Sequence, residues 1–357
     1  MTAVHRAQVA GSELAFDCAP GQSVLDAALQ AGIELPHSCR KGVCGSCAAV
    51  VSEGELRALP GRALVNEHCG PGRQLLCAGS AATPLLLVVP GARRLEPGAR
   101  KRLQAKVFRV REAASGIWLL DLRLPAGQRL KFRAGQHLDV IEADGSRRAY
   151  SMANPPYESD AVALHIRAQP DGRFSARLPT LQPAELIDIE APQGSFGLRE
   201  GSTAPLLMVA GGTGFAPIKS MLDHLARQGA SREITLLWGV REARQLYLPA
   251  ALARWRRVWP GMGALALVSG GLPEGGAENG EGAAARDAGW SVENGRVPER
   301  LGQLAADRAS GFAGHEAYVC GSPGFVDAVR GMLLQCGLPA QDCFADAFVS
   351  AAPAARA

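Results

Sequence analysis

The chain has 357 residues, 47% of them hydrophobic, enough apolar material for two or three domains. Its 38 Lys and Arg against 34 Asp and Glu leave a formal net charge of +4, too small to imply a nucleic-acid partner. The nine cysteines form no dense disulfide pattern, no signal peptide is recognised in 1–16, and the longest apolar run, 84–90, is far short of a membrane span. A soluble cytoplasmic protein without a membrane partner is expected.

The first chemical signal lies near the N-terminus. Gln22-Ser23-Val24-Leu25-Asp26-Ala27-Ala28-Leu29 is apolar-periodic and predicts a short helix. It leads into a loop with Cys39, Cys44 and Cys47 at C-x4-C-x2-C spacing, and Cys77 follows 30 positions after Cys47. Four thiolates so spaced are the ligand set of a plant-type [2Fe–2S] centre. Gly42 and Gly45 allow backbone conformations that turn amide N–H groups toward the sulfurs. A zinc site and a disulfide pair are the alternatives, but zinc ligands usually come as two separated C-x2-C pairs, and no second pair exists. Cys69 competes with Cys77 as fourth ligand, yet lies in a Gly/Pro-rich stretch close to Cys47. Cys18, Cys69, Cys336 and Cys343 are expected to be ordinary buried or half-buried residues. Residues 3–90 resemble a plant-type ferredoxin domain, whose apolar lead-in to the last ligand is matched by Leu75-Leu76-Cys77-Ala78. That resemblance implies a β-grasp fold.

Residues 91–98 read as a linker, and 91–111 carry eight basic residues against one acidic. The remainder of the chain is balanced, with six against seven in 1–90 and 24 against 26 after 111. The simpler expectation is a solvated basic linker over 93–102. The sharper one is a docking surface for an acidic partner, or a contact to the acidic first domain.

From Leu103, period-two stretches such as 104–110 and 117–124 predict strands as far as about Leu198. Within them stands Arg148-Ala149-Tyr150-Ser151, after Gly135-Gln136 and before Met152-Ala153-Asn154-Pro155. It resembles the R-x-Y-S flavin signature of the ferredoxin–NAD(P) reductase superfamily. The residue types suit FAD: an aromatic ring lies against the isoalloxazine, a hydroxyl reaches a flavin nitrogen, and a guanidinium pairs with pyrophosphate. The resemblance assigns stacking to Tyr150, a hydrogen bond near N5 to Ser151 and phosphate to Arg148. It places His165, Arg167, Gly172 and Ser175 among the remaining flavin contacts, Gly172 and Ser175 at a predicted helix start suited to phosphate.

Around 201–204 the texture changes to an apolar strand, 205–210, then a glycine turn and a helix. Gly211-Gly212-Thr213-Gly214 with Pro217 in the first helical turn offers backbone N–H groups to a dinucleotide pyrophosphate. As a bare glycine turn it is a common strand–helix connection. It resembles, however, the G-G-T-G-x-x-P variant of the same superfamily, and Tyr318-Val319-Cys320-Gly321-Ser322-Pro323 resembles that family's second nicotinamide-side motif. Cys320 and Gly321 are then expected beside the nicotinamide and flavin edge, the alternative being a buried thiol at a strand end. The strand 234–239 leads to Arg241, which either accepts a 2′-phosphate or lies on the adenine face. Its match to NADH-dependent relatives points to NADH over NADPH. In the terminal run Cys343-Phe344-Ala345-Asp346-Ala347-Phe348, the resemblance puts Phe348 near the flavin, whereas a terminal strand would put Phe344 and Phe348 in the core.

Together these segments resemble the NADH-dependent reductase components of bacterial multicomponent oxygenases. They are also similar to the reductase of CDP-6-deoxyhexose biosynthesis. The resemblance implies a multidomain α+β and α/β chain: a β-grasp ferredoxin domain at 1–92, an antiparallel β-barrel FAD domain at 103–200 and a parallel-sheet NAD domain at 201–349. A flexible Gly/Glu/Ala-rich insertion is expected at 270–288 and a loose tail at 350–357. Cys39, Cys44, Cys47 and Cys77 would hold the cluster, and Ser151 and Cys320 would flank the reacting rings. Hydride transfer needs no protein acid or base, only alignment and exclusion of water. The implied acceptor is a protein, an oxygenase or dehydratase component. A free diaphorase and a redox sensor using only the cluster are the rival readings, and a sensor has no need of both flavin and nucleotide motifs.

Overall fold

The computed structural model describes residues 3–96, 98–169, 172–272 and 282–349. The chain falls into two compact units. One runs from the N-terminus through Arg100 and includes Gly194–Phe196 and the segment from Ala345; the other holds Lys101–Gln193 and Gly197–Phe344.

The N-terminal unit is a five-stranded mixed sheet. Its first strand, His5–Val9, pairs antiparallel with Ala15–Cys18 and parallel with Leu85–Val88. Strand Ala48–Glu53 continues the sheet antiparallel to Leu85–Val88. The helix Val24–Gln30 lies across it, as the apolar period predicts, burying Val24, Leu25, Ala27, Ala28 and Leu29. Ser23 caps that helix by accepting the Asp26 amide at 3.0 Å. This is the expected β-grasp. The core includes Leu75, Leu76 and Ala78, so the chain on both sides of Cys77 is anchored in apolar packing.

The basic segment is more than a solvated linker. Arg93–Arg94 pairs as a short strand with Ile33–Glu34, and the Arg93 guanidinium meets the buried Glu34 carboxylate at 2.5 Å. The strand expected at 104–110 is longer, Lys101–Ala114.

The second unit contains two sheets. Six antiparallel strands follow the order Arg147–Ser151, His137–Ile141, Leu186–Gln193, Lys101–Ala114, Ile117–Arg123, Ala161–Arg167, and a bridge between Met152 and Leu164 joins the ends into a barrel. Strand Leu186–Gln193 alternates exposed or half-buried with buried residues, the pattern of a wall with one face on a core. The other sheet pairs Leu206–Gly211 parallel with both Ile234–Val240 and Glu316–Gly321, and extends through Gly263–Val268 to Ser291–Asn294. Leu206–Gly211 is buried along nearly its whole length, as a central parallel strand covered on both faces must be.

The 270–288 segment is not wholly irregular. Its part at 273–281 lies outside the described residues, as does the expected tail at 350–357. The alanine-rich end forms a helix, Ala283–Asp287, whose Ala285 is buried and accepts the Trp290 amide at 2.9 Å. Among the described residues no helix is long and apolar enough to cross a membrane.

Candidate functional site

In the N-terminal unit, Cys44, Cys47 and Cys77 are buried and Cys39 is half-buried. The thiols draw together in two pairs: Cys39 hydrogen-bonds Cys44, and Cys47 hydrogen-bonds Cys77. Two pairs suit two irons, each taking two thiolates. The Cys44 bond, opposed by desolvation and joined by backbone amides of Lys41, Cys44 and Val43, holds the Cys39 thiol down to about 6. The Cys47 bond likewise lowers the pKa of Cys77, while Cys44 and Cys47, as the donors, are raised. Four paired cysteines, three of them on an amide-lined loop, fit a [2Fe–2S] centre. Gly45 is required here twice over: its φ is 74°, and a Cβ would come 2.7 Å from that of His68. Cys69 is buried and its thiol donates to Asn66 Oδ1 at 3.3 Å.

The surrounding pins had no sequence signal. Asp26, on the capped helix, meets the Arg40 guanidinium at 2.5 Å. Arg62 donates to the carbonyls of Arg40 and Cys77, and Asn66 to those of Gly42 and Val43.

In the second unit, the strand Arg147–Ser151 presents Arg148 and Tyr150 on one face and turns Ser151 to the other, where it is buried. The half-buried Tyr150 ring lies 5.6 Å from that of Phe174, and burial raises its phenol pKa. An aromatic ring, a guanidinium and a hydroxyl on one short strand form a donor set that suits a flavin dinucleotide. Two predicted contacts have side-chain partners within the unit. The His165 ring is buried against Tyr247, Nδ1 to Oη 3.1 Å, and burial keeps its pKa well below the ordinary value. Ser175 is also buried, and its oxygen accepts the Gln169 amide at 3.1 Å. Gly172 precedes it so closely that a Cβ would collide with the Ser175 hydroxyl.

The strand Leu206–Gly211 ends in a 3₁₀ turn, Gly212–Gly214, that opens the helix Phe215–Gln228. Gly214 packs on the carbonyl of Cys320, where any Cβ would collide, so the two nucleotide motifs touch. Cys320 is fully buried at the end of Glu316–Gly321. Gly211, Gly239 and Gly321 share one neighbour, the half-buried ring of Phe325, which would lie 2.8–3.1 Å from a Cβ on any of them. Glycine at all three positions therefore lets the Phe325 ring pack directly on the strand ends. Trp238 Nε1 donates to the Gly212 carbonyl at 2.9 Å, and its ring stacks on Phe215 at 3.9 Å. Arg241 is exposed beyond the next strand.

Flavin-side and nucleotide-side residues meet within this unit. Arg167 Nη2 lies 3.2 Å from where a Gly212 Cβ would stand. Lys219 donates to Ala153 O at 3.2 Å and Ser220 to Asn154 O at 2.7 Å. Trp238, Tyr247, Lys219, Ser220 and Phe325 carry no motif of their own. Phe344 stacks on Tyr318 at 4.9 Å under the Arg199 guanidinium. Phe348 is half-buried and belongs to the N-terminal unit, not to the unit that carries Tyr150.

Three domain families match the chain in order: the 2Fe-2S iron-sulfur cluster binding domain over 7–81, the oxidoreductase FAD-binding domain over 104–197 and the oxidoreductase NAD-binding domain over 208–331. The chain is 45% identical to reductase component 2 of terephthalate 1,2-dioxygenase from Comamonas, over 97% of this chain and 98% of that one. It is 31% identical to the CDP-6-deoxy-L-threo-D-glycero-4-hexulose-3-dehydrase reductase of Yersinia pseudotuberculosis, over 92% and 93%. A solved cytochrome P450 reductase of Amycolatopsis superposes with a TM-score of 0.74 at 27% identity, covering 97% of this chain and 99% of that one.

Proposed function

This chain belongs to the family of three-domain ferredoxin–FAD–NAD reductases, and we propose that it supplies electrons from NADH to the oxygenase component of a dioxygenase. Binding of a [2Fe–2S] cluster, FAD and NAD(H) follows from its domains. The observation that carries the choice of partner is the 45% identity, end to end, with a terephthalate 1,2-dioxygenase reductase, against 31% with the hexulose dehydrase reductase.

When bound, NADH, FAD and the cluster together supply the conversion of a hydride's electron pair into single electrons. The chain's own part is to hold and align. Cys39, Cys44, Cys47 and Cys77 are the proposed iron ligands. Arg148 pairs with the flavin pyrophosphate, Tyr150 packs on the ring system and Ser151 hydrogen-bonds its reacting edge. Arg167 and Gly172 complete the flavin site. His165, whose ring is taken by Tyr247, and Ser175, whose oxygen is taken by Gln169, contribute through their backbone and packing. Gly211, Gly212, Thr213 and Gly214 would take the nucleotide pyrophosphate on backbone N–H groups, with Gly321 allowing the close approach of Gly211 on the neighbouring strand. Cys320, fully buried, would support the nicotinamide side through its backbone and packing, without donating or accepting a proton. Arg241, exposed beyond its strand, would lie on the adenine face, and its match to NADH-dependent relatives favours NADH. We place the domain boundaries near 92, 103 and 201. Phe348 is kept as a candidate flavin contact on the family resemblance alone.

The partner is tested by mixing the NADH-reduced protein, anaerobically, with the oxygenase component of a terephthalate-type dioxygenase and with a hexulose dehydrase. Salt-sensitive reduction of the first and not the second is expected. The reverse preference would move the protein to the sugar pathway, and reduction of neither would leave a diaphorase.

A further inference from the structure

The segment 62–69 grips the cysteine loop from outside, and the carbonyls it holds are a particular set. In a planar trans peptide the C=O of one residue and the N–H of the next point in opposite directions. Arg62 Nη1 donates to the Arg40 carbonyl at 3.2 Å, and the opposed amide, Lys41 N–H, donates to Cys39 Sγ at 3.4 Å. Asn66 Nδ2 donates to the Val43 carbonyl at 2.9 Å, and the opposed Cys44 N–H donates to Cys39 Sγ at 3.4 Å. The same Nδ2 donates to the Gly42 carbonyl at 3.0 Å, and the opposed Val43 N–H is the third backbone donor to that sulfur.

Each of these three backbone N–H donors to Cys39 thus has a side chain holding the far side of its peptide. Asn66 is itself fixed in orientation. Its Oδ1 accepts the His68 amide at 3.0 Å and the Cys69 thiol at 3.3 Å, and the Cys69 sulfur accepts the Asn66 amide at 3.3 Å. The amide face therefore has one way round: oxygen toward donors, nitrogen toward carbonyls.

We propose that Asn66, latched by Cys69 and assisted by Arg62, is a positioning residue that sets the reduction potential of the iron–sulfur centre. It does so by aiming three amides at the sulfur of Cys39. The inference rests on the reading of Cys39 as a cluster ligand. N–H···S bonds stabilise the more negative, reduced form, so loosening them lowers the potential. Asn66 is neutral, so its removal changes the aim of the amides without removing a charge.

The test is an EPR-monitored redox titration of the full-length holoprotein carrying Asn66→Ala, with Asn66→Ser as the milder variant. For Asn66→Ala the equilibrium constant for cluster reduction should fall about tenfold, equivalent to about 59 mV for one electron. Asn66→Ser, which keeps one donor, should fall between that and the unsubstituted protein, and the flavin couple is the internal reference. If Asn66→Ala loses its iron, Asn66→Ser decides. An unchanged cluster potential in the variant that retains iron would overturn the inference. Absence of any [2Fe–2S] signal from the unsubstituted protein would instead overturn the underlying ligand reading.

Discussion

The hydroxyl of Ser220 donates to the carbonyl of Asn154 at 2.7 Å, both groups being buried. Ser220 lies on the helix that opens at the glycine turn, and Asn154 three residues beyond Ser151, so this bond sets nucleotide motif against flavin motif. Ser220→Ala leaves a buried carbonyl without that donor, a loss of about 1–3 kcal/mol. Urea denaturation should show this loss, and stopped-flow reduction of the flavin by NADH should slow in parallel. An unchanged rate with reduced stability would show that the bond holds the fold and not the alignment.

Phe325 touches the three bare strand ends at Gly211, Gly239 and Gly321. Its replacement by Ala removes the plate beneath the proposed nucleotide site. A roughly tenfold rise in KM for NADH with kcat little changed is expected, the signature of lost uniform binding. A fall in kcat at constant KM would assign the ring to the reacting end instead.

His165 gives the stability a pH dependence of predictable sign. Burial keeps its ring neutral in the folded chain, whereas the unfolded chain takes up a proton near pH 6.5. Protons then bind preferentially to the unfolded state, so stability falls as pH drops through about 6.5, by up to about 1.4 kcal/mol per pH unit. The contribution is fully present above that pH. Denaturation midpoints at pH 5.5 and 7.5 should differ less in His165→Gln than in the unsubstituted protein.

Gly45→Ala should act on the metal and leave the second unit alone. An L-residue at φ 74° costs about 1–2 kcal/mol, and the Cβ would also press on His68. Iron and acid-labile sulfide per chain should drop well below that of the unsubstituted protein, while FAD content stays the same. Equal loss of both would point to a general folding defect.

The parts of the chain legible in the sequence are those whose chemistry is local. Cys39, Cys44 and Cys47 stand on one loop because a cluster needs adjacent ligands, and Gly211–Gly214 stands at one strand end because phosphate needs bare backbone. Alternation and apolar runs of the same local kind announce the strands themselves, whereas the grasp and the barrel are what the resemblance of the motifs implies. Long-range pins leave no such mark. Nothing in the spacing of Asn66, Trp238 or Ser220 announces that each bonds a carbonyl 23 to 66 positions away. The turning of His165 toward Tyr247 and of Ser175 toward Gln169 is a choice of side-chain direction made by packing. So too the Arg93–Glu34 pair: the charge excess of 91–111 was visible, but not its buried counter-charge.

An anaerobic NADH titration, followed by visible absorbance and low-temperature EPR, tests most directly the claim that electrons pass from NADH through FAD to the cluster. Flavin bleaching accompanied by a rhombic S = ½ signal is predicted, with Cys44→Ser retaining the bleaching and losing the signal. Flavin bleaching in the unsubstituted protein while its cluster stays oxidised would contradict that claim and leave only a flavin reductase.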